Sequence, residues 1–347
     1  MTLKEVTDAA LAAERASFES TISRLESEKE YINSRLASCT LEIGSLKAEL
    51  EALNSQLLAC VKPIPRGIFT RASLSPQWTS TIQLYWSAVE TSPGVYDWTV
   101  LDTLLASASA PVRLRPMLGV RAPSWWLTVS YVEPQGGESV LIPNVWLPDY
   151  QEAARAFIAA LAEHVDNDNR VALVFATAGM TYYAEPFIRG TSSVENRASF
   201  LKHGYTMDAD AALQTWQLDI MKVFKRTNVG LAYNPWQYIT LDGQAGQSVD
   251  FMAGVMDHHL NTFGGRSVLQ NNSIRSSYIT DPPSFYQAFI DRPQAVKQFQ
   301  CAATSRVGDE SATIRWAIDV LGASGIEHSN TLTTQEYSSF DSEMKGA

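Results

Sequence analysis

From Phe18 onward, apolar positions follow one another at alternating steps of four and three: Ile22, Leu25, Ile32, Leu36, Cys39, Ile43, Leu46, Leu50, Leu53, Leu57 and Cys60, with Lys29 in the polar place between Leu25 and Ile32. An α-helix turns about every 3.6 residues, so a seam held at 3.5 stays on one side only if helices supercoil around each other. The pattern therefore predicts a coiled coil. A single amphipathic helix lying on the following domain would show a wider apolar stripe over a shorter length. With Ile22 at a, the a set (Ile22, Lys29, Leu36, Ile43, Leu50, Leu57) and the d set (Leu25, Ile32, Cys39, Leu46, Leu53, Cys60) lack the β-branched-a, Leu-d bias of a dimer. A parallel homotrimer is the expectation, with a dimer as the alternative. Glu42 at g reaches Lys47 at the next e in a parallel arrangement, and Lys29 at a sets register. Residues 1 to 17 continue the helix on an offset seam of Leu3, Val6, Ala10 and Ala13. Pro63 and Pro65 then stop it, because proline lacks the amide that helix continuation needs. The organisation expected is a stalk over 1–62 and a second domain over 63–347.

Past the prolines, short β-rich apolar runs alternate with helical patterns. The runs are Gly67 to Thr70, Thr81 to Trp86, Val112 to Gly119, Val171 to Thr177, Val229 to Tyr233, Ser267 to Gln270, Val296 to Ala302 and Gly325 to His328. Helical segments are expected at Trp98 to Ala110, Tyr150 to Val165, Met207 to Arg226, Ser248 to Leu260, Pro283 to Asp291 and Asp309 to Leu321, with Asp97, Asp149, Asp208 and Asp309 as starts. Eight strands in repeated βα units predict an α/β fold, a (β/α)8 TIM barrel. A doubly wound sheet would want a glycine-rich turn after the first strand, and Thr70-Arg71-Ala72-Ser73 offers none.

Such barrels work from the loops at the carboxyl ends of their strands. The longest here, Arg121 to Pro148, holds a hairpin-like stretch over Tyr131 to Trp146. Trp86, Trp125, Trp126, Trp146, Tyr182, Tyr183, Trp236 and Tyr238 all fall at or just past strand ends. Flat rings there stack on the apolar faces of sugars while Asn234, Gln237, Gln270, Asn271 and Asn272 bond hydroxyls. The competing reading has Trp86 and Trp236 as plugs of the barrel mouth.

Composition narrows the partners. The net charge of -10 argues against a nucleic acid or anionic membrane surface. Three cysteines without paired spacing exclude a disulfide scaffold and argue against a zinc site, and Cys39 and Cys60 read as small core residues of the seam. His258 and His259 are neighbours, not the i, i+4 pair of a metal site, and read as a solvated helix face. No cofactor motif is present. The amino terminus has no apolar signal region and no run of eighteen apolar residues occurs, so no membrane insertion is expected.

TIQLYWSAVETSPGVYDWTVLDTLLASA at strand 2 and VRLRPMLGVRAPSWW at strand 3 resemble the corresponding segments of clan A glycoside hydrolases, especially the family 42 β-galactosidase-like barrels. VALVFATAGMTYYAEP at strand 4 is similar to the segment where those enzymes carry a general acid/base glutamate. The resemblance covers most of residues 66 to 328 and implies that role for Glu185. Two features depart from it: Ala184 replaces the asparagine expected before the glutamate, and the strand that should end in the nucleophile reads VKQFQCAATSRVGD, with Gln298 and Gln300 in the neighbourhood. Glutamine cannot form a glycosyl ester, and hydrolysis needs two carboxyl groups, about 5–5.5 Å apart for retention or about 6.5–9.5 Å for inversion. Glu327 is the candidate second carboxylate, its competing role being a partner of Arg113 or Arg115. Asp309 reads rather as a helix cap and Glu90 as part of a turn.

A heptad stalk joined to such a barrel resembles the minor tail proteins of phages that infect actinobacteria. That resemblance implies a virion protein made in the host cytoplasm without a signal peptide, contacting other tail proteins and cell-envelope polysaccharide. An active hydrolase with Glu185 as acid/base is the alternative.

Overall fold

The computed structural model describes residues 3–71 and 74–346, and in the first helix it leaves the side chains of residues 3–7, 9 and 51–60 outside the description. The chain divides into two compact units, Met1–Cys60 and Val61–Ala347.

The first unit is one α-helix, Leu3–Cys60. At about 1.5 Å per residue it is roughly 90 Å long. Its seam residues Ile22, Leu25, Ile32, Leu36, Ile43, Leu46 and Leu50 are between 52% and 66% exposed. The side chains of Leu53, Leu57 and Cys60 of the seam lie outside the description. Two i, i+4 ion pairs, Arg15–Glu19 and Arg24–Glu28, support the helix on its surface, each by only a few tenths of a kcal/mol.

The second unit begins two residues earlier than the prolines suggest, because Lys62 belongs to it. The Lys62 ammonium is buried and donates to the carbonyls of Val165, Asp168 and Val171 at 3.0, 2.7 and 2.8 Å and to Thr227 Oγ1 at 2.7 Å. It ties the incoming chain to the amino-terminal end of the barrel.

Eight parallel strands close the barrel: β1 Gly67–Arg71, β2 Thr79–Tyr85, β3 Val112–Met117, β4 Val171–Phe175, β5 Asn228–Ala232, β6 Ser267–Ile274, β7 Val296–Cys301 and β8 Ala323–Glu327. Neighbours run in the order β1-β8-β7-β6-β5-β4-β3-β2, so sequential strands are adjacent all the way round. Every run expected as a strand overlaps one of them. The alternation of side chains decides what faces inward. Inside stand Phe69 and Arg71, Thr81 and Gln83, Arg113 and Arg115, Gln270 and Asn272, Gln300, and Glu327, which contact one another across the lumen or line its mouth. Outside, Ile82, Leu84, Leu114, Leu269 and Phe299 join the apolar layer shared with the helices. The interior is thus unusually polar for a fold whose lumen is ordinarily filled by branched aliphatics. Gly230 and Gly325 leave the space that Phe175 and Phe69 occupy, since a Cβ on either would fall inside van der Waals contact with the ring. The Arg113 guanidinium lies over both rings, 4.2 Å from Phe69 and 5.0 Å from Phe175.

Helices Thr99–Ala106, Pro148–Val165, Met207–Asp219, Val249–Phe263 and Glu310–Asp319 form the outer layer. Of the expected starts, Asp309 caps its helix, accepting from Ala312 N at 2.9 Å. Thr206 rather than Asp208 caps Met207–Asp219, and Asp149 lies inside the first turn behind Pro148. The segment expected as a helix over Pro283 to Asp291 is a 3-10 turn, Ser284–Tyr286, running into one helical turn, Gln287–Ile290. His259 is buried, not solvated: its ring meets Tyr233 Oη at 3.1 Å and the Val229 carbonyl at 3.1 Å, and burial pushes its pKa down to about 3. Among the described residues, two helices of more than two turns were not expected. Val194–Lys202 starts at Ser193, and Thr334–Lys345 starts at a Thr333/Glu336 capping box and packs on β1, where Asp341 accepts from Ile68 N at 2.9 Å.

Candidate functional site

At the carboxyl ends of the strands lies a cavity of about 430 Å³. Arg71 of β1, Gln83 and Tyr85 of β2, Arg115 and Met117 of β3, Asn272 of β6 and Gln300 of β7 form its base. The loop after β4 supplies Tyr182, Tyr183 and Glu185, and the loops after β5, β6 and β7 add Asn234, Arg275 and Arg306. The long loop after β3 folds as an antiparallel hairpin, Leu127–Val132 with Ser139–Pro143, a few residues ahead of the expected stretch. Its turn reaches the mouth: Gln135 lines the cavity, Tyr182 Oη donates to Glu138 at 2.7 Å, and Tyr183 Oη donates to Glu133. The two tyrosine rings meet edge to face, centroids 5.1 Å apart.

Beneath the cavity a connected polar network joins the two glutamates. Arg113 Nη1 and Arg115 Nη2 reach Glu327 Oε2 at 3.1 and 2.9 Å, and Thr81 Oγ1 donates to the same oxygen at 3.2 Å. The Gln300 amide, oriented to suit both neighbours, donates to Glu327 Oε1 at 3.1 Å and accepts from Arg71 Nη1 at 2.7 Å. From Arg113 the network continues to the Gln270 carbonyl oxygen; the Gln270 amide donates to Asn272 Oδ1 at 2.6 Å, and Asn272 Nδ2 donates to Glu185 Oε1 at 2.6 Å.

The surroundings push the two carboxyl groups in opposite directions. Burial pushes Glu327 up, but the charges of Arg115 and Arg113 and the Arg115 hydrogen bond outweigh it and keep the group below the ordinary carboxylate range. Burial likewise pushes Glu185 up, and there the Asn272 hydrogen bond and the more distant Arg115 charge do not offset it, so its pKa stays raised. Glu185 lines the cavity, accepting from Asn272 Nδ2. Glu327 is a fully enclosed counter-ion whose two oxygens are both engaged, which is the arginine-partner role and leaves no oxygen facing a substrate.

Of the expected sugar contacts, Tyr182 and Tyr183 line the cavity. Trp86 does not: it is wholly buried, donates its indole N–H to Glu90, and packs on Tyr150 and Phe157 in the outer layer. It follows inward-facing Tyr85, so strand alternation turns it outward with Ile82 and Leu84. Trp236 is buried too, its Nε1 donating to Asp210 Oδ2 at 3.0 Å and its ring packed at a tilt on Phe251, centroids 4.1 Å apart. Asn271 points out of the lumen, bonding the Tyr233 carbonyl at 2.8 Å and Tyr286 Oη at 2.8 Å. Its neighbour Asn272 is the cavity residue. Trp125 and Trp126 sit on the 3-10 turn Ser124–Trp126, outside the lining, with Trp126 set edge-on to Tyr150. Glu90 serves its turn, accepting from Gly94 N at 2.7 Å. Arg71, Arg121, Arg275 and Arg306 were missed because they come from four separate strand ends and loops and no local spacing collects them. Among the described residues no group of three or more His, Cys, Asp or Glu is placed to hold a metal ion, and no helix is long and apolar enough to cross a membrane.

No protein-family model matches the chain, and no curated protein is similar to it. Solved structures that it resembles include a β-galactosidase from the psychrophilic Marinomonas ef1 (12% identity, TM-score 0.42, 75% of this chain and 53% of that one). Endo-glycoceramidase II from Rhodococcus sp. aligns at 16% identity and TM-score 0.44, over 76% of this chain and 72% of that one. A D-allulose 3-epimerase from Methylomonas sp. aligns at 10% identity and TM-score 0.41, over 81% and 91%. The chain spans about half the length of the β-galactosidase.

Proposed function

We propose that this chain is a minor tail protein of a virion, associating through its amino-terminal helix as a parallel trimer and using its barrel to bind cell-envelope carbohydrate without cleaving it. The observation that carries the binding half is the cavity itself: tyrosine rings and amide side chains surround a single open carboxyl, Glu185, while Gln300 stands at the end of β7 and Glu327 is occupied by Arg113 and Arg115. A pair of carboxyl groups free to act on one glycosidic bond is what hydrolysis requires. The exposed seam supports association with further copies of the chain, because each leucine or isoleucine removed from water contributes roughly 1.5–3 kcal/mol. The virion role rests on the pairing of such a stalk with such a barrel.

The test is to incubate the protein and Glu185→Gln with polysaccharide isolated from actinobacterial envelopes, following binding and released reducing sugar together. Binding by both without release is expected. Release by the parent that the variant loses would make the chain a hydrolase with Glu185, already biased towards its protonated form, as the acid. Sedimentation of the same sample is expected at the trimer mass, and Leu36→Asp with Ile43→Asp should yield monomer. A monomeric parent would overturn the stalk's assignment.

A further inference from the structure

The barrel mouth is cationic in a chain that is acidic. The formal net charge is -10, yet among the described residues five arginines, Arg71, Arg115, Arg121, Arg275 and Arg306, line the cavity against the single lining carboxyl of Glu185, with Glu133 and Glu138 set behind Tyr183 and Tyr182 and bonded to their hydroxyls. Arg115 shares the Glu327 carboxylate with Arg113. Among the described residues, no carboxylate oxygen lies within 4.0 Å of a guanidinium nitrogen of the other four, whereas the buried arginines Arg113 and Arg189 each have such a partner. The contacts that hold them are neutral: Arg71 donates to Gln300, Arg275 Nε donates to the Ser273 carbonyl at 3.2 Å and its guanidinium lies over Tyr278, and Arg121 lies over Tyr85. Four elements far apart in sequence thus deliver like charge to one concave surface, where a low-dielectric wall concentrates the field. Burial also keeps Glu185 towards its neutral form, which weakens the one lining charge that would oppose an anion. Guanidinium groups present a planar fork matched to carboxylate and phosphate oxygens. A neutral saccharide would leave these forks without a charged acceptor.

We infer that the glycan bound in this mouth is anionic, with carboxylate or phosphate oxygens engaging Arg71, Arg121, Arg275 and Arg306; the inference rests on the carbohydrate-binding reading above. The tyrosine wall then meets sugar rings while the arginines read the charge. Uronic-acid carboxylates and phosphodiester linkages share this chemistry, and the experiment separates them.

Actinobacterial envelope polysaccharide is prepared in three forms: native, with its carboxyl groups reduced to alcohols, and with its phosphodiesters removed by hydrofluoric acid. Binding of the full-length protein is measured at low and at raised salt. The expected result is at least a tenfold loss of affinity in one of the two neutralised forms, which identifies the anion, together with weakening of native binding as salt rises. Equal affinity for all three forms would overturn the inference and leave carbohydrate binding standing. Failure to bind even the native polysaccharide would overturn both. The double variant Arg121→Gln, Arg306→Gln, at exposed positions, should fold as the parent does and lose about tenfold or more in affinity with a shallower salt dependence. The outward-lying variant Arg155→Gln should lose nothing. Unchanged binding by the double variant would also overturn the inference.

Discussion

The middle of the barrel and its mouth treat the same side chain in opposite ways. In the middle, Arg113 and Arg115 are enclosed and share Glu327; elsewhere in the interior Arg189 is equally enclosed and shares Asp210 at 2.6 Å. At the mouth, Arg71, Arg121, Arg275 and Arg306 line open space, and among the described residues none has a carboxylate oxygen within 4.0 Å of its guanidinium nitrogens. A buried charge must be paired, because desolvation otherwise costs several kcal/mol, while a charge at the surface can wait for an external partner. The contrast separates arginines that belong to the fold from arginines available to a ligand.

Removing Glu327 should give the largest effect. In Glu327→Gln the Arg113 and Arg115 guanidinium groups keep their burial and lose their counter-ion, and the barrel should lose about 3–5 kcal/mol in denaturant unfolding. A loss under about 1 kcal/mol would mean that the two arginines are effectively solvated and that middle and mouth do not differ. Lys62→Met comes next. It removes the donor that satisfies three carbonyls and the Thr227 hydroxyl, and stability should fall by about 1–3 kcal/mol. Burial pushes the Lys62 amine down to about 8, so it remains mostly charged at neutral pH.

The two glutamates sharpen the comparison through pH. Glu327 is held below the ordinary 4.5, so its contribution is fully present above that value and is lost as pH falls through the folded-state value. Glu185 is raised above 4.5, so the folded state binds the extra proton. Its contribution is complete below 4.5 and is lost as pH rises through the folded-state value. Denaturation midpoints measured from acid to neutral pH should therefore diverge in opposite senses. The advantage of the parent over Glu327→Gln shrinks in acid, and Glu185→Gln gains on the parent as pH rises. Parallel curves for both variants would show that the enclosed ion pair and the cavity acid are not electrostatically distinct.

The barrel was legible because each of its strands is a short β-branched or apolar run between turn signals, and the βα alternation repeats. The outermost elements were less so. Thr334–Lys345 went unread although Thr333 and Glu336 spell a capping box, because its apolar residues are few and widely spaced. In the site, Glu185 was indicated by the resemblance at strand 4 and the tyrosine pair by the aromatics past the strand ends, and the arginine-partner reading of Glu327 is the one the network displays. Trp86 and Asn271 were misplaced by one position each. At the end of a strand, a shift of one residue turns a side chain from the lumen to the helix layer. The inward Thr81, Gln83, Tyr85 set against Ile82, Leu84, Trp86 was the signal that could have assigned the face. Nothing comparable exists for the arginines, whose positions come together only when the barrel closes.

The smallest effect belongs to Arg306→Gln. Arg306 is exposed, follows β7, and has no carboxylate within ion-pairing distance among the described residues. Its replacement removes no pair, leaves no buried group without a partner and opens no cavity. Stability should stay within about 0.5 kcal/mol of the parent, as for surface positions generally. Relief of repulsion from the neighbouring arginines acts in the favourable direction. A denaturant titration of the parent and the variant reads this directly. A loss above about 1 kcal/mol would make Arg306 part of the fold in the same sense as Arg113, and the distinction between a paired middle and an open mouth would not hold.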